Sequence, residues 1–144
     1  MRGRGGLPDE PARFAMRERK AGMGESNSSV NFVVSLSIHD NGMANFERIV
    51  QQMIEGTRQE PGCTAYDWYM DKERRQCRLL EQYCDGAAVL AHLRGRVVQE
   101  LVQKLMECCT ITNFEVYGDP GEEATTILQS IPATIFSPWR MLRG

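Results

Sequence analysis

Glu60-Pro61-Gly62-Cys63-Thr64-Ala65-Tyr66-Asp67-Trp68-Tyr69 is the stretch on which the reading of this chain turns. Pro61 cannot continue a helix, because its ring fixes φ and removes an N–H, and Gly62 after it accepts the positive φ at which helices close. Upstream, Phe46, Ile49, Val50, Met53 and Ile54 recur at three- and four-residue steps, so an amphipathic helix is expected from about Met43 to Gln59. Downstream, Cys63 to Met70 is rich in aromatic residues and reads as a strand. Asp71-Lys72-Glu73-Arg74-Arg75 is a charged loop short enough to turn a hairpin into a second strand, Gln76 to Tyr83.

Working outward, Val30, Phe32, Val34, Leu36 and Ile38 alternate with Asn31, Val33, Ser35, Ser37 and His39, the period of two of a half-buried strand. On the other side, Asp85 caps a short helix that runs through Leu93 and breaks at Arg94-Gly95. Val97, Val98, Leu101, Val102, Leu105 and Met106 then share one helical face, and Thr110 to Tyr117 alternates with Thr112, Phe114 and Val116 on one side. The order β-α-β-β-α-β is that of an α+β, ferredoxin-like domain: a four-stranded antiparallel sheet with its helices on one face. Val33, Ser35 and Ser37 of the first strand and Cys63, Ala65 and Tyr69 of the second fall on the opposite face. An apolar sheet face of that kind is rarely left wet, so a homodimer is expected.

The 144 residues suit one domain with its own core. Residues 1–28, rich in Arg, Gly, Glu, Pro and Ser, have too few apolar side chains to order themselves and are expected to be a disordered extension ahead of a domain over 29–119. Residues 120–144 contain Ile127, Leu128, Ile131, Ile135, Phe136, Trp139 and Met141, and such a tail should pack on the domain or its dimer partner, with Trp139 as an anchor. A net charge of −2 leaves no electrostatic footprint for nucleic acid. The basic start is not followed by the apolar run of a signal peptide, and no window approaches the roughly 18 apolar residues of a membrane helix, so a cytoplasmic protein without a membrane partner is expected. Cys63, Cys77, Cys84, Cys108 and Cys109 lack metal-ligand spacing and read as reduced thiols.

Chemistry has few carriers. His92 is the leading general base, since an imidazole can accept a proton near neutral pH; the plain alternative is a helix histidine bonded to a carbonyl or to Glu81. Glu81 can orient His92, bind a hydroxyl or itself act as base if desolvated, or it can simply pair with Arg78. Tyr66 is the candidate oxyanion donor, Trp68 and Tyr83 are candidate flat walls for a ring substrate, and His39 could reach the pocket mouth. As core residues these aromatics need no such role. Neither a nucleotide-binding glycine fingerprint nor a metal-ligand cluster is present, so no cofactor and no metal are expected.

Glu60-Pro61-Gly62-Cys63 with Tyr66, Leu79-Leu80-Glu81, and Ala88-Val89-Leu90-Ala91-His92 give the chain from about Val30 to Asp119 a resemblance to the antibiotic biosynthesis monooxygenase family. The resemblance implies a dimeric α+β barrel with a pocket between sheet and helices in each subunit. Activities in such families include cofactor-free oxygenation of quinols and anthrones, haem degradation and an isomerisation. The haem-degrading branch needs a histidine that the helix after His92 lacks, and the anthrone branch has Asn and Trp where this chain has Leu79 and Tyr83. The expected activity is therefore cofactor-independent monooxygenation of a quinol or similar electron-rich aromatic compound with O₂. An isomerase of a small carbonyl or phosphorylated compound, in whose branch a histidine at the place of His39 also occurs, and a non-catalytic dimeric ligand-binding protein stay open.

Overall fold

The computed structural model describes residues 28–142; the expected extension over 1–28 lies almost wholly outside them. The first six main elements are β1 (Val30–Ile38), α1 (Met43–Thr57), β2 (Cys63–Met70), β3 (Gln76–Tyr83), α2 (Gly86–Arg94) and, after an irregular helical stretch, β4 (Cys109–Tyr117). That stretch is a π-helical turn, Val97–Leu101, running into a short α3, Val102–Leu105, so the continuous helix expected there is interrupted. Two more elements follow: α4 (Glu122–Ser130) and β5 (Thr134–Phe136).

The sheet order is β2-β3-β1-β4-β5. Its first four strands are antiparallel, as expected, but β5 adds a fifth, parallel to β4, with Val116 opposite Ile135 and Tyr117 opposite Phe136. The ferredoxin-like fold is therefore present with a five-stranded sheet. The tail reaches that edge because Ala124 and Leu128 of α4, one helical turn apart, are buried in the core, and α4 packs beside α2. Trp139 does not anchor the tail within the subunit: it is exposed, with the Arg140 guanidinium over its ring.

Every second residue of β1 from Val30 to Ile38 is buried against the helices. Phe46, Ile49, Met53 and Thr57 of α1, spaced by three and four, cover that face, and Asp85 caps α2 by accepting from the Ala88 N–H. Two bulges alter the alternation expected for the other strands. Thr64 is the extra residue in β2, so Cys63 pairs with Tyr83 and packs on the core rather than on the outer face. A second irregularity, between Ser35 and Leu36 against β4, takes Thr112 out of register, so that Ile111 joins Phe114 and Val116 on the inner face.

Gly62 serves close approach rather than a positive φ. A Cβ there would lie 2.4 Å from the Ala88 Cβ, whereas the positive-φ glycines are Gly118 and Gly121. The bare backbone at 62 lets the start of β2 press against α2, which carries His92.

Candidate active site

Between the inner sheet face and the helices lies a cavity of about 420 Å³, well within the range of small-molecule sites. Strand register builds its floor. Tyr66, Glu81 and Phe32 form one rung across β2, β3 and β1, and Trp68, Leu79 and Val34 form the next. Ile111, turned inward by the bulge, and Phe114 extend the floor onto β4. Met53, His92, Val98 and Val102 belong to the roof, and Ile131 and Pro132 of the tail supply part of the wall.

The polar groups gather on one side. His92 comes down from α2 with Nδ1 2.7 Å from Glu60 Oε1, in the turn before β2. Its Nε2 faces Glu81 Oε1 at 3.6 Å, too far for a hydrogen bond but close enough for charge to be felt. The Tyr83 hydroxyl donates to Glu81 Oε1. An imidazole beside a carboxylate donates to it, so this arrangement assigns the proton to Nδ1 and leaves Nε2, on the Glu81 side, as the acceptor. The rings of Tyr66 and Tyr83 flank His92 with centroids 5.9 and 5.2 Å away.

Burial dominates the electrostatics. Glu81 is held above the ordinary carboxyl range first by desolvation, with the nearby Glu60 charge adding to it; His92 and the Tyr83 hydroxyl pull the other way without reversing it. Tyr66 and Tyr83 are pushed up by desolvation and by the Glu81 charge, so both stay phenols and can donate. Cys63, pushed up to about 11 mainly by burial and then by Glu81, is not a thiolate nucleophile. Two buried polar atoms, Trp68 Nε1 and Thr57 Oγ1, have no hydrogen-bond partner among the described residues. Thr57 lies close enough to Tyr66 to favour its phenolate slightly, yet makes no bond of good geometry with it.

Of the residues singled out from the sequence, the structure brings His92, Glu81, Tyr66 and Trp68 together on one cavity. Glu81 pairs with His92 and Tyr83 rather than with Arg78, which points to the exposed face. Tyr83 is fully buried behind Glu81 and does not line the cavity, because it stands two residues farther along β3. His39 is on the outer face at the end of β1, bonded to Thr110 at 2.8 Å, and takes no part. Glu60 carries no mark of function in the sequence, where it reads as part of a helix-stop motif; only the path of the turn shows it reaching His92. Among the described residues no group of His, Cys, Asp and Glu is arranged to hold a metal.

A ferredoxin-like sheet roofed by helices, with a histidine and a buried acid on one side of an apolar cavity, makes a candidate small-molecule site on an α+β scaffold. Residues 30–104 match the antibiotic biosynthesis monooxygenase family, to which the chain therefore belongs. Curated proteins gave no match. Among solved structures, MupZ from Pseudomonas fluorescens is similar with a TM-score of 0.71 and 23% identity, covering 81% of this chain and 94% of MupZ. Rv0793 from Mycobacterium tuberculosis follows with a TM-score of 0.58, 22% identity and coverage of 66% and 98%. SnoaB from Streptomyces nogalater, a cofactor-independent oxygenase represented by a point mutant, has a TM-score of 0.57 at 14% identity, covering 66% of this chain and 96% of its own. At these identities the likeness is one of fold. No helix among the described residues is long and apolar enough to cross a membrane.

Proposed function

We propose that this protein is a cofactor-independent monooxygenase acting on a quinol or a related electron-rich aromatic compound. One observation carries the reading: the cavity wall is apolar except at one side, where Glu81, His92 and Tyr66 are its only ionisable lining residues among those described. Such a wall suits a flat ring with a hydroxyl at the polar side.

In this reading His92 Nε2 takes the proton of a ring hydroxyl, and Glu60 stabilises the resulting imidazolium through Nδ1. Tyr66 donates to the ring oxyanion, and the Trp68 ring forms part of the flat wall against the substrate ring. The electron-rich anion passes one electron to O₂, and the ring radical and superoxide combine to form a C–O bond. One oxygen atom remains on the ring; the other leaves as water with two substrate hydrogens. Exclusion of bulk water by Phe114, Val98 and Val102 protects the radical pair.

Oxygen uptake with 1,4-naphthohydroquinone and 1,4-benzohydroquinone tests this, corrected for spontaneous oxidation. His92→Ala should lose about 10²–10⁴ of the catalysed rate. Uptake that is absent in the wild type, or equal in both proteins, removes the proposal. A phosphorylated isomerase substrate is disfavoured because, among the described residues, no Lys or Arg lines the cavity: Arg78 is on the outer face and Arg94 pairs with Glu123 at 2.8 Å.

The working unit in this proposal is a homodimer, since Tyr69, Leu80, Tyr117 and Phe136 leave an apolar outer sheet face exposed in one subunit. Its five unpaired thiols suit the reducing cytoplasm.

A further inference from the structure

The side of Glu60 turned away from His92 opens on a different space. Glu60 contributes nothing to the cavity wall, but it does line an open surface groove of about 560 Å³, together with Gln59, Ala91, Gly95, Arg96 and Lys104. Its side chain is 22% exposed, against 5% for both His92 and Glu81. Its second oxygen, Oε2, lies on the side of Gly95, which lines the same groove, 3.5 Å from where a Cβ at that position would stand.

From these placements we infer that Glu60 is a positioning and proton-relay residue, which connects the buried His92 to solvent by a route separate from the substrate cavity. The inference rests on the proposed general-base role of His92. Once Nε2 has taken a proton from substrate and the imidazolium is paired with Glu60, its Nδ1 proton passes to Glu60 Oε1 and is released from the carboxyl into the groove. The reverse passage returns a proton when the peroxide breaks down to water, so the net reaction neither gains nor loses one. No electron moves along this path. A carboxylate is suited to it because one oxygen can face the imidazole while the other faces water, whereas an amide can orient the ring but cannot carry the proton.

The groups that bear on the pair are Glu81 and Tyr83 from β3, Tyr66 and Cys63 from β2, and Arg96, Glu100 and Lys104 along the groove. None of them bridges His92 to the groove as Glu60 does.

The test uses the full chain with ¹⁵N-labelled histidine. The protein has two histidines, and His39, exposed and bonded to Thr110, is an internal reference. In Glu60→Gln, the amide oxygen should keep His92 in the Nδ1–H tautomer, while exchange of that proton with water slows at least tenfold and the His39 signal is unchanged. With 1,4-naphthohydroquinone, Glu60→Gln should lower kcat about tenfold or more at unchanged KM. Glu60→Ala should lose more, and added formate or acetate, but not chloride at equal ionic strength, should restore part of it. Unchanged proton exchange in Glu60→Gln, or equal loss in Glu60→Ala with and without carboxylate, overturns the relay. If the wild type consumes no oxygen, the monooxygenase reading fails while the exchange measurement still decides the relay. Glu60→Asp, which keeps a carboxylate, should retain faster exchange than Glu60→Gln and controls for damage to the fold.

Discussion

The contact of Gly62 with Ala88 can be tested as a coupled pair. In Gly62→Ala the new methyl would stand 2.4 Å from the Ala88 Cβ, while carbon atoms in ordinary contact are about 3.5–4.0 Å apart. Strand and helix must therefore part by roughly 1 Å or more at this point, the kind of overpacking that costs about 1–3 kcal/mol. Ala88→Gly removes the obstructing methyl at a cost of about 1 kcal/mol for a helical glycine. In the double variant the methyl introduced at position 62 meets the Cα of residue 88 at 3.4 Å and the Cys84 Sγ at 3.5 Å, both ordinary contacts. The double variant should thus be destabilised by about 1 kcal/mol rather than by the sum of the two, a favourable coupling of about 1–3 kcal/mol, in the range seen for touching residues. Urea unfolding of the wild type, both single variants and the double variant, followed by far-UV circular dichroism, measures it. Additivity within about 0.5 kcal/mol would refute the reasoning, because it would mean that the close approach does not constrain α2.

Glu81→Gln should change the pH dependence of stability. Glu81 is raised in the folded protein by burial, so folding favours its protonated form. The wild type should therefore lose stability as pH rises from the ordinary carboxyl value through the raised one, by at most about 1.4 kcal/mol per pH unit for one proton. The substituted amide cannot ionise, and the advantage of the variant should grow over that window in thermal melts taken at successive pH values; parallel profiles would count against the buried acid. Leu80→Glu on the outer sheet face should shift the sedimentation of a dimer toward monomer at micromolar concentration, and a wild type already monomeric would remove the dimer. Ile131→Ala, which enlarges the cavity at a residue that is 44% exposed, should cost little stability and raise kcat/KM for bulkier quinols relative to small ones. An unaltered preference would show that Ile131 does not bound the substrate.

Periodicity exposes the first four strands and α1 because each has one dry face, and a dry face writes itself into the sequence as a period of two or 3.6. It fails where a single residue breaks register. Nothing in Thr64 or Thr112 announces a bulge, yet each reverses the side on which its neighbours lie, moving Cys63 and Ile111 inward. The fifth strand is three residues long, too short for any period, and its place depends on where α4 docks. In the site, Glu81, Tyr66 and Trp68 are legible because strand alternation fixes a face, and His92 because a histidine stands among apolar helix positions. Tyr83 has the right face but the wrong depth, and depth follows from the distance along β3 to α2. Glu60 is hidden because a turn has no periodicity, so the direction of its carboxylate is set only by the tertiary path that Gly62 permits.

The two ends of the cavity come from different parts of the chain. Glu60, Tyr66, Glu81 and His92 all fall in the segment shared with the family, whereas Ile131 and Pro132 belong to an appendage after it. The 81% of this chain covered in the likeness to MupZ is more than the family segment alone supplies. If the cavity works as proposed, lengthening or exchanging the appendage would retune which molecules are admitted while His92, Glu81 and Tyr66 stay in place. Under that proposal, grafting alternative tails after Gly121 should change the range of compounds accepted, because Ile131 and Pro132 line the cavity.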